Sequence, residues 1–366
     1  MTSTFEIALG RDTVGLRWPD GTARDFPLIW LRDNDPAGLH PDTQERVTDL
    51  LSIDPEPQAT AAELGEGGLV LHWADGGESR IALDWLERHG PGTPVADPAE
   101  LPHVTWRAGF TVPRHHGARI AADDTALLDW LRDTVACGLT IVEGVAKEPG
   151  AGLALAERIG FLRQTNFGTA FEVISKPNPN NLAYTALALP LHTDLANQEL
   201  PPGYQFLHCI ANEAAGGGSV FADGVAMAEA LRAEDPEAFD LLARVPIPFR
   251  FHDGEVDIRI HRPVINLTHD GEVHEIKWNA HLAGVFDMEA AVMPAYYRAY
   301  RAFMALTRDP AFQVRLKLQA GEMVVFDNRR VLHGREAFDP ATGHRHLQGC
   351  YVDRGEVLSR IRVLSR

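Results

Sequence analysis

"EMVVFDNRRVLHGREAF", residues 322–338, opens on an apolar strand, "MVVFD", and His333 follows it, close to the strand's end. Strand-like pieces recur on both sides of it from about residue 171: "FEVI", "YQFLHCI", "GSVFAD", "PVINLT", "VHEIKW", "FQVRLKL" and "LQGCYVD". Two helical stretches interrupt them, "GVAMAEALRAEDPEAFDLLARV" and "AAVMPAYYRAYRAFMALTRD". That order has no regular βαβ alternation. It predicts a mainly β fold, a double-sheet jelly roll with flanking helices.

Upstream, "DDTALLDWLRDTVAC" has helical periodicity with Gly138 as its stop, "GLTIVEGV" reads as a buried strand, and "GAGLALAERIGFL" is again helical. The first hundred residues read as short strands, with a hairpin at "ADGG" and a short helix, "LDWLERHG", ended by Gly90. The proline-rich piece "PGTPVADPAELP", residues 91–102, reads as a linker. The expected division is a small β-rich N-terminal domain, 1–95, and a larger catalytic domain, 96–366.

Apolar residues make up 45% of the 366, enough for a substantial core. The formal net charge of -17, without a basic stripe, argues against a nucleic-acid partner. No apolar run approaches the ~18 residues of a membrane span, and the start "MTSTFEIALGRDTVG" has neither the apolar region of a secretory signal nor the look of a transit peptide. Cys137, Cys209 and Cys350 are too few and too scattered for a disulfide framework. A cytoplasmic protein is expected.

His192 and Asp194 stand two apart in "HTD". Alone, such a pair is commonplace in loops. With His333 they form a candidate two-histidine, one-carboxylate set, which leaves open coordination positions and suits non-heme Fe(II), although zinc can use the same groups. Arg345 follows twelve residues after His333 at the start of "RHLQGCYV". That segment reads as a strand running back beside the metal strand. There Arg345 is either a surface arginine or a bidentate clamp for a carboxylate.

"NNLAYTALALPLHTDL", "PPGYQFLHCIANEAAGGGSVFADG", "FDNRRVLHGREAF" and "RHLQGCYVD", with "FPLIWLRDNDP" near the start, together resemble the γ-butyrobetaine dioxygenase family. The likeness covers nearly the whole chain. It implies a double-stranded β-helix that hydroxylates trimethylammonium compounds with Fe(II), O2 and 2-oxoglutarate, commonly as a homodimer. It assigns His192, Asp194 and His333 to the metal and Arg345 to 2-oxoglutarate. By matching position it assigns Phe167, Phe171, Tyr184 and Tyr351 to an aromatic cage for the cation, with Asn181 and Asn279 as further substrate contacts. On residue type alone, the phenylalanines would be core.

The departures from the family pattern bear on metal and substrate. Three cysteines and a histidine that hold structural zinc in relatives correspond here to Asp35, Ala37, His40 and Gly77, so no structural zinc is expected. A cage tryptophan and two tyrosines correspond to Phe171, Phe167 and Leu195. Losing those polar contacts tilts the expected substrate slightly toward 2-trimethylaminoethylphosphonate, with γ-butyrobetaine as the alternative. His281, Arg335 and Lys176 are the candidates for its anionic end. Readings of another class are a zinc hydrolase and a non-catalytic small-ligand module.

Overall fold

The computed structural model describes residues 5–174 and 185–366. The chain forms two compact units, Met1–Asp97 and Pro98–Arg366.

The first unit holds two three-stranded antiparallel sheets. Strand Thr13–Arg17 alternates, with Val14 and Leu16 turned into a core that includes Phe26, Leu69, Leu71 and Trp73. The "ADGG" hairpin closes through Gly76, whose φ of 89° suits glycine in the turn. The helix Leu83–His89 ends at Gly90. Residues 35–40 hold a short 3-10 helix, Pro36–Gly38, and a bridge from Leu39 to Arg46, and Gly77 follows the hairpin turn. Asp35 accepts from the Ala37 N–H at 2.9 Å and from the Ser79 hydroxyl, His40 Nδ1 accepts from the N–H groups of Asp42 and Thr43, and the Gly77 N–H donates to Asp75.

The second unit is mixed α/β rather than mainly β. Its larger sheet runs, in spatial order, Arg114–His116, Leu139–Glu143, Met323–Asp327, Tyr204–Asn212, Arg345–Val352, Ala170–Val173. The first pair is parallel and the rest antiparallel. A smaller antiparallel sheet runs Leu189–His192, Val331–Arg335, Ser219–Asp223, Gln313–Leu316. This arrangement is consistent with the core of a double-stranded β-helix. The helices Asp124–Cys137 and Ala151–Glu157 pack on the large sheet, and Met293–Arg308 contributes Phe303 to a second core that includes Trp278.

Three local expectations are corrected. The stretch 224–245 is two helices, Gly224–Glu234 and Pro236–Arg244, because Pro236 lacks the N–H needed to continue the first and Asp235 caps the second. His333 does not sit at the end of the "MVVFD" strand. The chain switches sheets through Asn328–Arg330, and His333 lies mid-strand in Val331–Arg335. Strand Arg345–Val352 does not run beside the His333 strand. It lies in the other sheet, paired antiparallel with Tyr204–Asn212 on one edge and Ala170–Val173 on the other.

Candidate active site

His192 and His333 are directly opposed on neighbouring antiparallel strands. Gly334 permits that closeness, since a Cβ there would lie 2.6 Å from the Leu189 carbonyl oxygen. The two rings stand 4.3 Å apart between centroids. Asp194, two residues past His192, brings Oδ1 to 3.2 Å from His192 Nε2 and 3.7 Å from His333 Nε2. One ligand atom from each of the three residues falls within 4.8 Å of the others.

Two of the three candidate ligands are held from behind, while His333 Nδ1 has no hydrogen-bond partner among the described residues. His192 Nδ1 donates to the Pro190 carbonyl at 2.9 Å, which leaves the Nε2 lone pair facing the other two ligands. The Asn328 side chain accepts from the Asp194 N–H at 2.7 Å and donates to its carbonyl at 3.0 Å. The Tyr351 hydroxyl donates to Asp194 Oδ2 at 2.7 Å. Leu195 then turns with φ of 55°, a left-handed conformation that costs a branched residue about 1–3 kcal/mol and is found where function holds the backbone in place.

The charge states fit a cation. Burial would push the Asp194 carboxyl up, but His333, His192 and the Tyr351 hydroxyl hold it well below the usual carboxylate range. Burial, then the neighbouring His192, push His333 down to about 3, so its imidazole is a neutral donor. Two imidazoles, that of His333 held neutral, and one carboxylate match the donor set for a divalent ion with open positions.

The triad lines a cavity of about 300 Å³ whose described walls come from both sheets. Arg345, on a strand of the large sheet, lines the same cavity as the three candidate ligands. It is buried, and its Nε has no hydrogen-bond partner among the described residues. Burial and then Arg335 draw its guanidinium down to about 10, so it remains a cation at neutral pH. Arg335 lies two residues after His333 on the same strand face. It also lines the cavity, donating to the carbonyls of Thr185 and Leu187. A buried, charged guanidinium with an unused donor calls for an anion, and a carboxylate fits it.

The aromatic lining has two pairs. Phe171 and Tyr351 stand 5.2 Å apart, and Phe167 meets Phe251 edge-on at 5.5 Å. Asn279 also lines the cavity, but its amide is engaged by backbone, donating to the Thr193 carbonyl and accepting from the N–H groups of His281 and Leu282. Leu195 and His281 are wall residues as well. Asn181, Tyr184 and Lys176 lie outside the described residues. Phe251, Ser219 and Gln205 reach the cavity although no local signal in the sequence singled them out. Ser219 opens its strand directly after three glycines, and nothing in that pattern marks it as a cavity residue.

Residues 105–351 match the taurine catabolism dioxygenase TauD, TfdA family. The chain is 47% identical to γ-butyrobetaine dioxygenase of Pseudomonas sp. (strain AK-1), covering 96% of this chain and 94% of that one. It is 32% identical to the mitochondrial trimethyllysine dioxygenase of Gallus gallus, over 96% and 86% of the two chains. In fold it is similar to a putative α-ketoglutarate-dependent taurine dioxygenase from Burkholderia xenovorans, with a TM-score of 0.51, 16% identity, and coverage of 69% and 92%. Among the described residues, no helix is long and apolar enough to cross a membrane.

Proposed function

The chain belongs to the TauD, TfdA family, in its γ-butyrobetaine dioxygenase-like branch, and is a non-heme Fe(II)- and 2-oxoglutarate-dependent dioxygenase; from that premise we propose that it hydroxylates a C–H bond of γ-butyrobetaine, giving carnitine. The observation that carries the substrate class is one cavity walled by paired aromatic rings and opening on the triad. A trimethylammonium head offers no hydrogen-bond donor and is recognised by aromatic faces. The choice of the carboxylate substrate over 2-trimethylaminoethylphosphonate rests on the extent of likeness to the Pseudomonas enzyme. Leu195 and Phe171 in the wall favour the phosphonate as the second reading.

In this reading His192, Asp194 and His333 hold Fe(II), and Arg345 grips the distal carboxylate of 2-oxoglutarate. When bound, iron supplies the oxidising chemistry that consumes O2 and 2-oxoglutarate and releases succinate and CO2. The protein's own work is positional. Asn328 and Tyr351 fix Asp194, Arg345 orients the keto-diacid, and Phe167, Phe171, Phe251 and Tyr351 exclude water and aim the substrate carbon. We read the two sheets as the halves of a double-stranded β-helix, the first unit as a separate small domain, and the assembly as a cytoplasmic homodimer without structural zinc.

The test offers both onium compounds to the iron-loaded enzyme and follows succinate and hydroxylated product together. γ-Butyrobetaine should give the two in equal amounts. Coupled turnover of the phosphonate alone would replace the first substrate by the second. Succinate without hydroxylation of either would remove both.

A further inference from the structure

Strand Arg345–Val352 turns one row of side chains into the cavity, and Arg345, Leu347 and Tyr351 line it. Gly349 holds the remaining place in that row. Because a strand repeats every two residues, a side chain at 349 would enter the same cavity. The backbone does not ask for glycine there, since Gly349 is absent from the residues with positive φ. What asks for it is Phe171, paired directly opposite on strand Ala170–Val173. A Cβ at Gly349 would lie 2.4 Å from Phe171 Cζ and 2.5 Å from its Cε2, with Leu207 Cδ2 at 3.1 Å. The phenyl ring therefore lies over the glycine and fills the gap in the row. Its other neighbour is the Tyr351 ring, 5.2 Å away.

We propose that Gly349 is a positioning residue for substrate selection: by leaving room for the Phe171 ring it sets the width of the aromatic wall and so the size of the cationic head admitted. The inference rests on the quaternary-ammonium reading above. The atoms that a methyl group at 349 would strike are the far end of a side chain, so the strand stays paired while the ring swings off it. The methyl would point into the cavity, so the ring moves inward and narrows the space for the cation.

The experiment compares wild type, Gly349→Ala, Phe171→Ala and the double variant as iron-loaded, full-length enzymes. Gly349→Ala should raise KM for γ-butyrobetaine about tenfold, the scale of one weakened cation–ring contact. The apparent KM for 2-oxoglutarate should stay unchanged, and preference should shift toward the dimethylamino analogue. In the Phe171→Ala background the same substitution should have no further effect on KM, because the ring through which it acts is gone. An unchanged KM in Gly349→Ala overturns the inference. So does an equal rise in both KM values, or a full effect in the absence of the Phe171 ring. If wild type turns over none of the onium compounds, the substrate reading fails and this inference falls with it. Wild-type turnover with an insensitive Gly349→Ala sinks this inference alone.

Discussion

Asn328 is placed to steady the proposed metal centre through the backbone of Asp194 alone. It is almost wholly buried and bonds both backbone groups of Asp194, and its amide also donates to the Pro202 carbonyl at 3.2 Å. The backbone that it grips leads straight into the left-handed Leu195. Removing the amide leaves buried backbone groups unpaired, at about 1–3 kcal/mol. It also frees the carboxylate to drift, which for partners behind a ligand typically weakens metal binding about 10–100-fold. Asn328→Ala should therefore bind Co(II), used as an oxygen-stable stand-in for Fe(II), about 10–100-fold more weakly by anaerobic calorimetry. Wild-type Co(II) affinity in a folded variant would show that the amide serves the loop and not the site.

At the scale of elements, the turn 328–330 that carries the chain from one sheet to the other is clamped by charge. Glu275, on strand Val273–Ile276, pairs with Lys277 and, at 2.9 Å, with Arg329. Arg354, which opens the helix Arg354–Leu364, holds Asp327 at 2.8 Å. No sequence motif marks that helix, although its first arginine completes the network. Burial alone would raise the Glu275 carboxyl, but Lys277, Arg354 and Arg329 outweigh it and hold it at about 2. Lys277 is itself drawn down, since burial outweighs its attraction to Glu275, so the net gain belongs to the carboxylate and its arginines. A carboxyl that titrates lower in the folded state stabilises fully above its unfolded range, near 4.5, and that stability is lost as pH falls toward about 2. The melting temperature should fall through this window. Glu275→Gln should start lower near neutral pH and decline less steeply on acidification. Parallel melting curves for the two proteins would show that Glu275 is not the group responsible.

For the whole molecule, the test is how much of the fold depends on metal. In the first unit the side chains and backbone around Asp35, His40 and Gly77 are spent on local hydrogen bonds, and its core is Val14, Leu16, Phe26, Leu69, Leu71 and Trp73. A domain built on structural zinc unfolds when the metal is stripped. Here a chelator should abolish succinate formation while far-ultraviolet circular dichroism stays unchanged, and Fe(II) alone should restore turnover. Loss of structure on chelation, or a requirement for zinc to recover, would contradict a packing-stabilised first unit.

Local chemistry was legible in the sequence. The short strands of the first hundred residues, Thr13–Arg17 among them, were legible, Gly90 marked a helix end, and the motifs shared with a known family brought His192, Asp194, His333 and Arg345 into one proposal. These signals depend on neighbours in the chain or on short patterns, so they survive without a fold. The tertiary structure alone decided that the Arg345 strand lies in a different sheet from His333, that Phe251 shares a wall with Phe167, and that Gly349 makes room for Phe171. Those facts turn on which distant strands pair and in what register. Register is fixed by burial and packing across the whole unit, and no window of sequence contains it.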